Sequence, residues 1–120
     1  MRTWNSEQLL VIQTMIRVRA VFRTQTNQNY WTFRRPIRRH QSSSSVFTVV
    51  VGSFKLQEHH HGWFIVYELL PNGPPDQVLT ARLDDHYLGY TGHSQSMEII
   101  RTRLLPTLDQ YLVLHNLARV

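Results

Sequence analysis

At 120 residues with 42% hydrophobic side chains, the chain fits one domain with a single core that needs no metal or disulfide staple. It contains no cysteine, which excludes thiol catalysis, disulfide frameworks and cysteine-ligated zinc. The net charge of +5 is unevenly placed: residues 1–41 hold eight arginines against Glu7 alone, whereas residues 42–120 hold five basic against seven acidic side chains. A field of that sign in the first third favours anionic partners such as nucleic acid, acidic lipid or an acidic protein surface.

Taken in chain order, "SEQLLVIQTMIRVRAVF" at 6–22 opens with Ser6 as a plausible cap and suits an amphipathic helix, while "MIRVRAVFRTQ" alternates well enough for a strand. We expect a helix over 6–16 that passes into a strand, then a hairpin whose return strand is frayed by Pro36. Arg17, Arg19 and Arg23 interrupt the longest apolar candidate, so no run approaches the roughly 18 to 20 residues of a membrane-spanning helix. Ser42 to Ser45 read as a loop or short linker.

"VFTVVVGSFKL" at 46–56 is β-branched, aromatic and apolar on both alternating faces, which predicts a central strand covered on two sides. "GWFIVYELL" at 62–70 reads the same way, and the short polar "QEHHHG" between them predicts an antiparallel hairpin. "PNGPPD" is a turn, and "QVLTARL" at 77–83 alternates, placing Leu79, Ala81 and Leu83 on one face and Val78, Thr80 and Arg82 on the other. These three strands form a meander over 46–83.

From Ser94 the period becomes helical. Ser94 or Ser96 is positioned to cap, Glu98 falls in the first turn, and Met97, Ile100, Leu104, Leu108, Tyr111 and Leu112 form one stripe. Pro106 must kink or divide this helix, with Thr107 and Gln110 spaced as a capping box for the second piece, so the expectation is a bent helix over 95–118. The fold class is therefore α+β: an antiparallel β-meander with a C-terminal helix packed on one face, preceded by a basic N-terminal arm that is helix or hairpin. The arm, 1–41, belongs to the same domain or is a targeting segment, and 42–120 carries the meander and the helix.

The most suggestive surface run is "YWTFRRPIRRH". Arg34, Arg35, Arg38 and Arg39 offer planar forks for phosphate, and Tyr30, Trp31 and Phe33 just before them offer rings on which unpaired bases stack. This pairing suits RNA or single-stranded DNA. The competing readings are rings in the core with the arginines as a solvated edge, or a mitochondrial presequence, because residues 1–45 are arginine-rich, serine-bearing and poor in acids. Twelve arginines to one lysine also follow from a GC-rich or overlapping coding sequence of the kind compact viral genomes use.

His59, His60 and His61 raise a metal hypothesis, since imidazole is the commonest metal ligand and His59 and His61 would share one side of an extended chain. No HExxH-type spacing accompanies them, so they read as a polar hairpin loop. Over those three residues they resemble the His-hydrophobic-His motif of rolling-circle replication nucleases, with His60 in place of the apolar residue and no lysine in the expected relation to Tyr111. "LDDHYLGY" at 83–90 pairs carboxylates with a histidine, without a nucleophile or oxyanion motif beside them. The element order, if residues 6–16 are helical, resembles that of the double-stranded RNA-binding domain, but "HSQSMEII" lacks the lysine cluster that family carries at the start of its last helix.

The sequence thus predicts a small non-enzymatic accessory protein, without cofactor, that binds RNA or single-stranded nucleic acid through Arg34, Arg35, Arg38, Arg39, Trp31 and Tyr30. The alternative is a protein-interaction or scaffold domain, in a homodimer, that uses an uncovered face or edge of the sheet. A soluble protein of cytoplasm or nucleus is expected, or a mitochondrial one if the first 45 residues are a presequence.

Overall fold

The structure is a computed structural model that describes residues 3–26 and 46–118. Helix α1 spans Ser6–Thr26, and strands β1 (Phe47–Val51), β2 (Phe54–Glu58), β3 (Phe64–Glu68), β4 (Asp76–Leu83) and β5 (Leu88–Thr91) follow. The chain then runs through α2 (Ser94–Ile99), a π-helical turn (Ile100–Leu104) and α3 (Leu105–Ala118). The five strands form one antiparallel meander in sequence order, with helices over one face. The expected α+β class holds.

The N-terminal helix is twice as long as the sequence suggested. It does not give way to a strand at 16, because Val11, Met15, Val18, Val21 and Phe22 fall on one stripe of a 3.6-residue period and all are fully buried. The alternation in "MIRVRAVF" is a coincidence of that same stripe. Asn5, one residue before Ser6, is the cap: its Oδ1 accepts from Gln8 N–H at 2.8 Å, and Gln8 Oε1 accepts from Asn5 N–H at 2.9 Å, a reciprocal capping box. The proposed return strand, with Pro36, lies outside the described residues.

The stretch 46–56 is a hairpin, not one central strand. Val51 pairs with Phe54 across Gly52-Ser53, and Gly52 adopts φ +57°, the left-handed conformation such two-residue turns need. β1 consequently ends up at the edge of the sheet. The β2–β3 hairpin forms as expected, closed by a 3₁₀ turn over His60–Gly62. Between β3 and β4 the register shifts after Val66, so that Val66 faces Leu79 while Tyr67 faces Gln77. Val78 is the extra residue of this bulge and is buried along with Leu79, contrary to simple alternation.

On the covered face, Phe54, Leu56, Phe64, Val66, Leu79 and Ala81 meet the buried stripe of α1 and Ile100, Leu104 and Leu108. Phe22 sets its ring edge-on to Phe64 at 5.3 Å. His93, not Ser94 or Ser96, caps α2, with Nδ1 accepting from Ser96 N–H at 3.2 Å. Thr107 does not cap α3; its hydroxyl donates to Arg103 O at 2.8 Å inside the helix. A π turn lies just ahead of Pro106, where Leu105 N–H bonds to Ile100 O. A proline ring collides with the carbonyl four residues back in regular α-helix, and widening the ladder immediately upstream relieves that collision.

Candidate nucleic-acid interface

Among the described residues, every helix lies on one side of the sheet, so the strands' other set of side chains forms an open face. Parity and register place Thr48, Val50, Lys55, Gln57, Trp63, Ile65, Tyr67, Gln77, Thr80, Arg82 and Gly89 there. None of these side chains is fully buried, whereas their strand neighbours on the other side mostly are.

This face carries aromatic rings interleaved with cations at two stations. At the first, Tyr87 in the β4–β5 turn folds its ring over Gly89, where a Cβ would stand only 2.7 Å from ring carbons. Glycine is needed there for that close approach. Trp63 meets Tyr87 edge-to-face at 6.4 Å, and the Arg82 guanidinium stands 5.8 Å from the Tyr87 ring centre. Arg82 is steadied from the other side by Asp84 at 3.2 Å. At the second station, Lys55 places its ammonium 4.9 Å from the Tyr67 ring centre, and Tyr67 lies four residues, about 13 Å, further along the chain from Trp63, which immediately precedes β3.

The paired carboxylates of "LDDHYLGY" are turn-forming. Asp84 Oδ1 accepts from His86 N–H at 2.9 Å, Asp84 N–H donates to Tyr87 O at 3.0 Å, and the backbone hydrogen bond from His86 holds the Asp84 carboxyl below its ordinary range. That geometry closes the turn that presents Tyr87. His59 Nε2 lies 3.1 Å from Gln57 Oε1, and no group of three or more His, Asp or Glu among the described residues stands together as a metal site. The Tyr111 hydroxyl is engaged by Thr24 and Gln25 at 2.8 and 2.7 Å.

The sequence-predicted patch of Arg34, Arg35, Arg38, Arg39, Trp31 and Tyr30 lies outside the described residues. The open-face set went unrecognised in the sequence, because Trp63 and Tyr67 sit in a strand read as covered on both sides. The signal that could have found it is the alternation Trp63, Ile65, Tyr67 against Phe64, Val66, Glu68, together with Lys55 and Arg82 at the same parity.

No family model matches this chain, and neither the curated proteins nor the solved structures contain a significant match.

One carboxylate on the covered face stands apart. Glu58 closes β2 opposite Phe64 and is only 5% exposed; burial pushes its carboxyl up to about 7 against the opposing pull of Arg19. Arg19 itself donates from α1 to the carbonyl of Leu83. Glu68, also on this side, accepts a two-pronged hydrogen bond from Arg103 at 2.8 and 2.9 Å, which holds its carboxyl below the ordinary range. Among the described residues, no helix is long and apolar enough to cross a membrane.

Proposed function

We propose that the protein is a small non-enzymatic accessory factor that binds RNA or single-stranded DNA, laying unpaired bases on the open face of the sheet. The observation that carries this reading is the row of Trp63, Tyr87 and Tyr67 with Arg82 and Lys55 set against the rings. Base-on-ring stacking is worth roughly 1–3 kcal/mol per base and tolerates any sequence, while neighbouring cations supply the salt-dependent phosphate contribution. The excess of arginine over acid in residues 1–41 adds to the same attraction, and Arg34, Arg35, Arg38 and Arg39 extend the phosphate contacts in this proposal, with Trp31 and Tyr30 stacking.

Fluorescence anisotropy with labelled single-stranded RNA, double-stranded RNA and single-stranded DNA at two salt concentrations tests it. Single strands are expected to bind more tightly than the duplex, with affinity falling as salt rises. Trp63→Ala and Tyr87→Ala each reduce affinity about tenfold at constant salt slope, in keeping with roughly 1.4 kcal/mol per lost stack. Glutamine at Arg34, Arg35, Arg38 and Arg39 lowers affinity and flattens the salt slope. Binding indifferent to all of these changes refutes the assignment.

A second reading, a protein-interaction domain, is favoured by one specific observation: β1 is an uncharged edge strand with exposed apolar side chains.

A further inference from the structure

We infer that the protein forms a two-fold symmetric dimer by antiparallel pairing of β1 with β1 of a second copy, giving a continuous ten-stranded sheet. The inference supplies the partner for the interaction reading and stands independently of nucleic-acid binding.

β1 is the sequence Phe-Thr-Val-Val-Val, and among the described residues it pairs on one side only, with β2. Sheet edges of monomeric proteins are ordinarily guarded by charge, proline, a bulge or a very short strand, since a bare edge recruits another strand. Among the described residues β1 has none of these guards: it is five residues long, uncharged, free of proline, and regular in register against β2. The opposite edge, β5, is shorter at four residues, contains Gly89, and is pinned to α1 through the hydrogen bond from Tyr90 to Glu7 at 2.7 Å.

Apolar side chains stand exposed on both faces of β1. Phe47 is 57% exposed on the helix side, and Val50 is 57% exposed on the open face. The helix that packs against this strand, α3, carries the further exposed residues Val113, Leu114 and Leu117. A second copy fits the strand better than an unrelated partner because the strand is self-complementary. With the two-fold axis at Val49, Phe47 faces Val51 of the other copy and Thr48 faces its Val50. No charge then meets its own image. Directly opposed apolar and β-branched residues of this kind are the pairs that stabilise antiparallel ladders. The axis stands perpendicular to the sheet, so both open faces look the same way.

Analytical ultracentrifugation of the full chain across a concentration range is the test, paired with Val50→Lys and Val49→Cys. The wild type is expected at twice the 14.2 kDa chain mass. Val50→Lys, at an exposed position outside the core, places like charges at the seam and shifts the protein to monomer while circular dichroism and melting temperature stay those of a folded domain. Because the chain has no cysteine, Val49→Cys under mild oxidation yields one defined covalent dimer, and a Ser94→Cys control does not. A wild type that remains monomeric at hundreds of micromolar overturns the inference. So does a dimer unaffected by Val50→Lys and not captured at position 49. The anisotropy result for single-stranded RNA is scored separately: a dimer that binds no RNA leaves this inference standing and removes the nucleic-acid proposal, and a monomer that binds RNA does the reverse.

Discussion

Replacing Glu58 with glutamine should change how stability depends on pH, not stability alone. The carboxyl titrates at about 7 in the folded protein against an ordinary value of 4.5. The native state therefore binds its proton more tightly than the unfolded chain, and between these two values it holds more protons. Stability accordingly falls as pH rises from about 4.5 through 7, the reverse of the usual carboxylate behaviour, and the full penalty is present above 7. At ~1.36 kcal/mol per unit the whole effect is about 3 kcal/mol, of which roughly 2 to 3 kcal/mol develops between pH 5 and 8. Glutamine keeps the shape and hydrogen-bonding capacity of the protonated acid and cannot ionise. Urea unfolding of both proteins at pH 5, 6, 7 and 8 should show Glu58→Gln gaining on the wild type by that amount, with similar stabilities at pH 5. Because every other titrating group is common to the two proteins, it cancels in the difference. A difference that stays flat with pH, or grows toward acid, would show that Glu58 is ionised comfortably within the fold and would refute the argument from burial.

Gly52→Ala should cost about 1 to 2 kcal/mol, since alanine is strained at φ +57° and its Cβ would stand 2.9 Å from Thr107 Cγ2; Thr107→Ser, which removes that methyl, should restore part of the loss in urea unfolding. Glu68→Gln should destabilise by about 1 kcal/mol at pH 7, a modest value because Arg103 is half exposed. The Glu68 carboxyl is held low, so its contribution is present above the ordinary carboxylate range and is lost as pH falls through its folded value. The gap between wild type and Glu68→Gln should therefore close in acid, which thermal melts at pH 7 and pH 3 will check. Gly89→Ala should leave the domain folded but expel the Tyr87 ring, whose hydroxyl and ring carbons the added Cβ would strike, and weaken single-stranded RNA binding about as much as Tyr87→Ala; unchanged anisotropy would show that the seat over Gly89 is irrelevant to binding.

The order of elements was readable from strand and helix periodicity, and the errors share one cause: local pattern is silent about which of two consistent periods tertiary contact will select. Residues 15–22 satisfy a helix and a strand equally, and burial of Met15, Val18 and Phe22 against the sheet decided for the helix. Residues 46–56 look like one strand covered on both sides because the turn between β1 and β2 takes only Gly52 and Ser53, too short to interrupt the apolar run. Reading that stretch as a hairpin would have exposed the edge strand and the open face together. The candidate interface was hidden for the same reason, since Lys55, Trp63, Tyr67 and Arg82 are scattered along 28 residues and converge only once the register is fixed. His93 as a helix cap was missed because histidine is an uncommon choice beside the serines that follow it.

The wide turn at Ile100–Leu104 amounts to one spare residue threaded into an otherwise ordinary helix. Deleting Thr102, whose side chain is exposed and donates to Glu98 O one turn back, would let the ladder close to regular α geometry while Ile100 and Leu104 keep their inward phase. The last helix is thus a place where chain length can change by one without rewriting the core beneath it, provided Pro106 is exchanged for a residue that the tightened turn can accommodate.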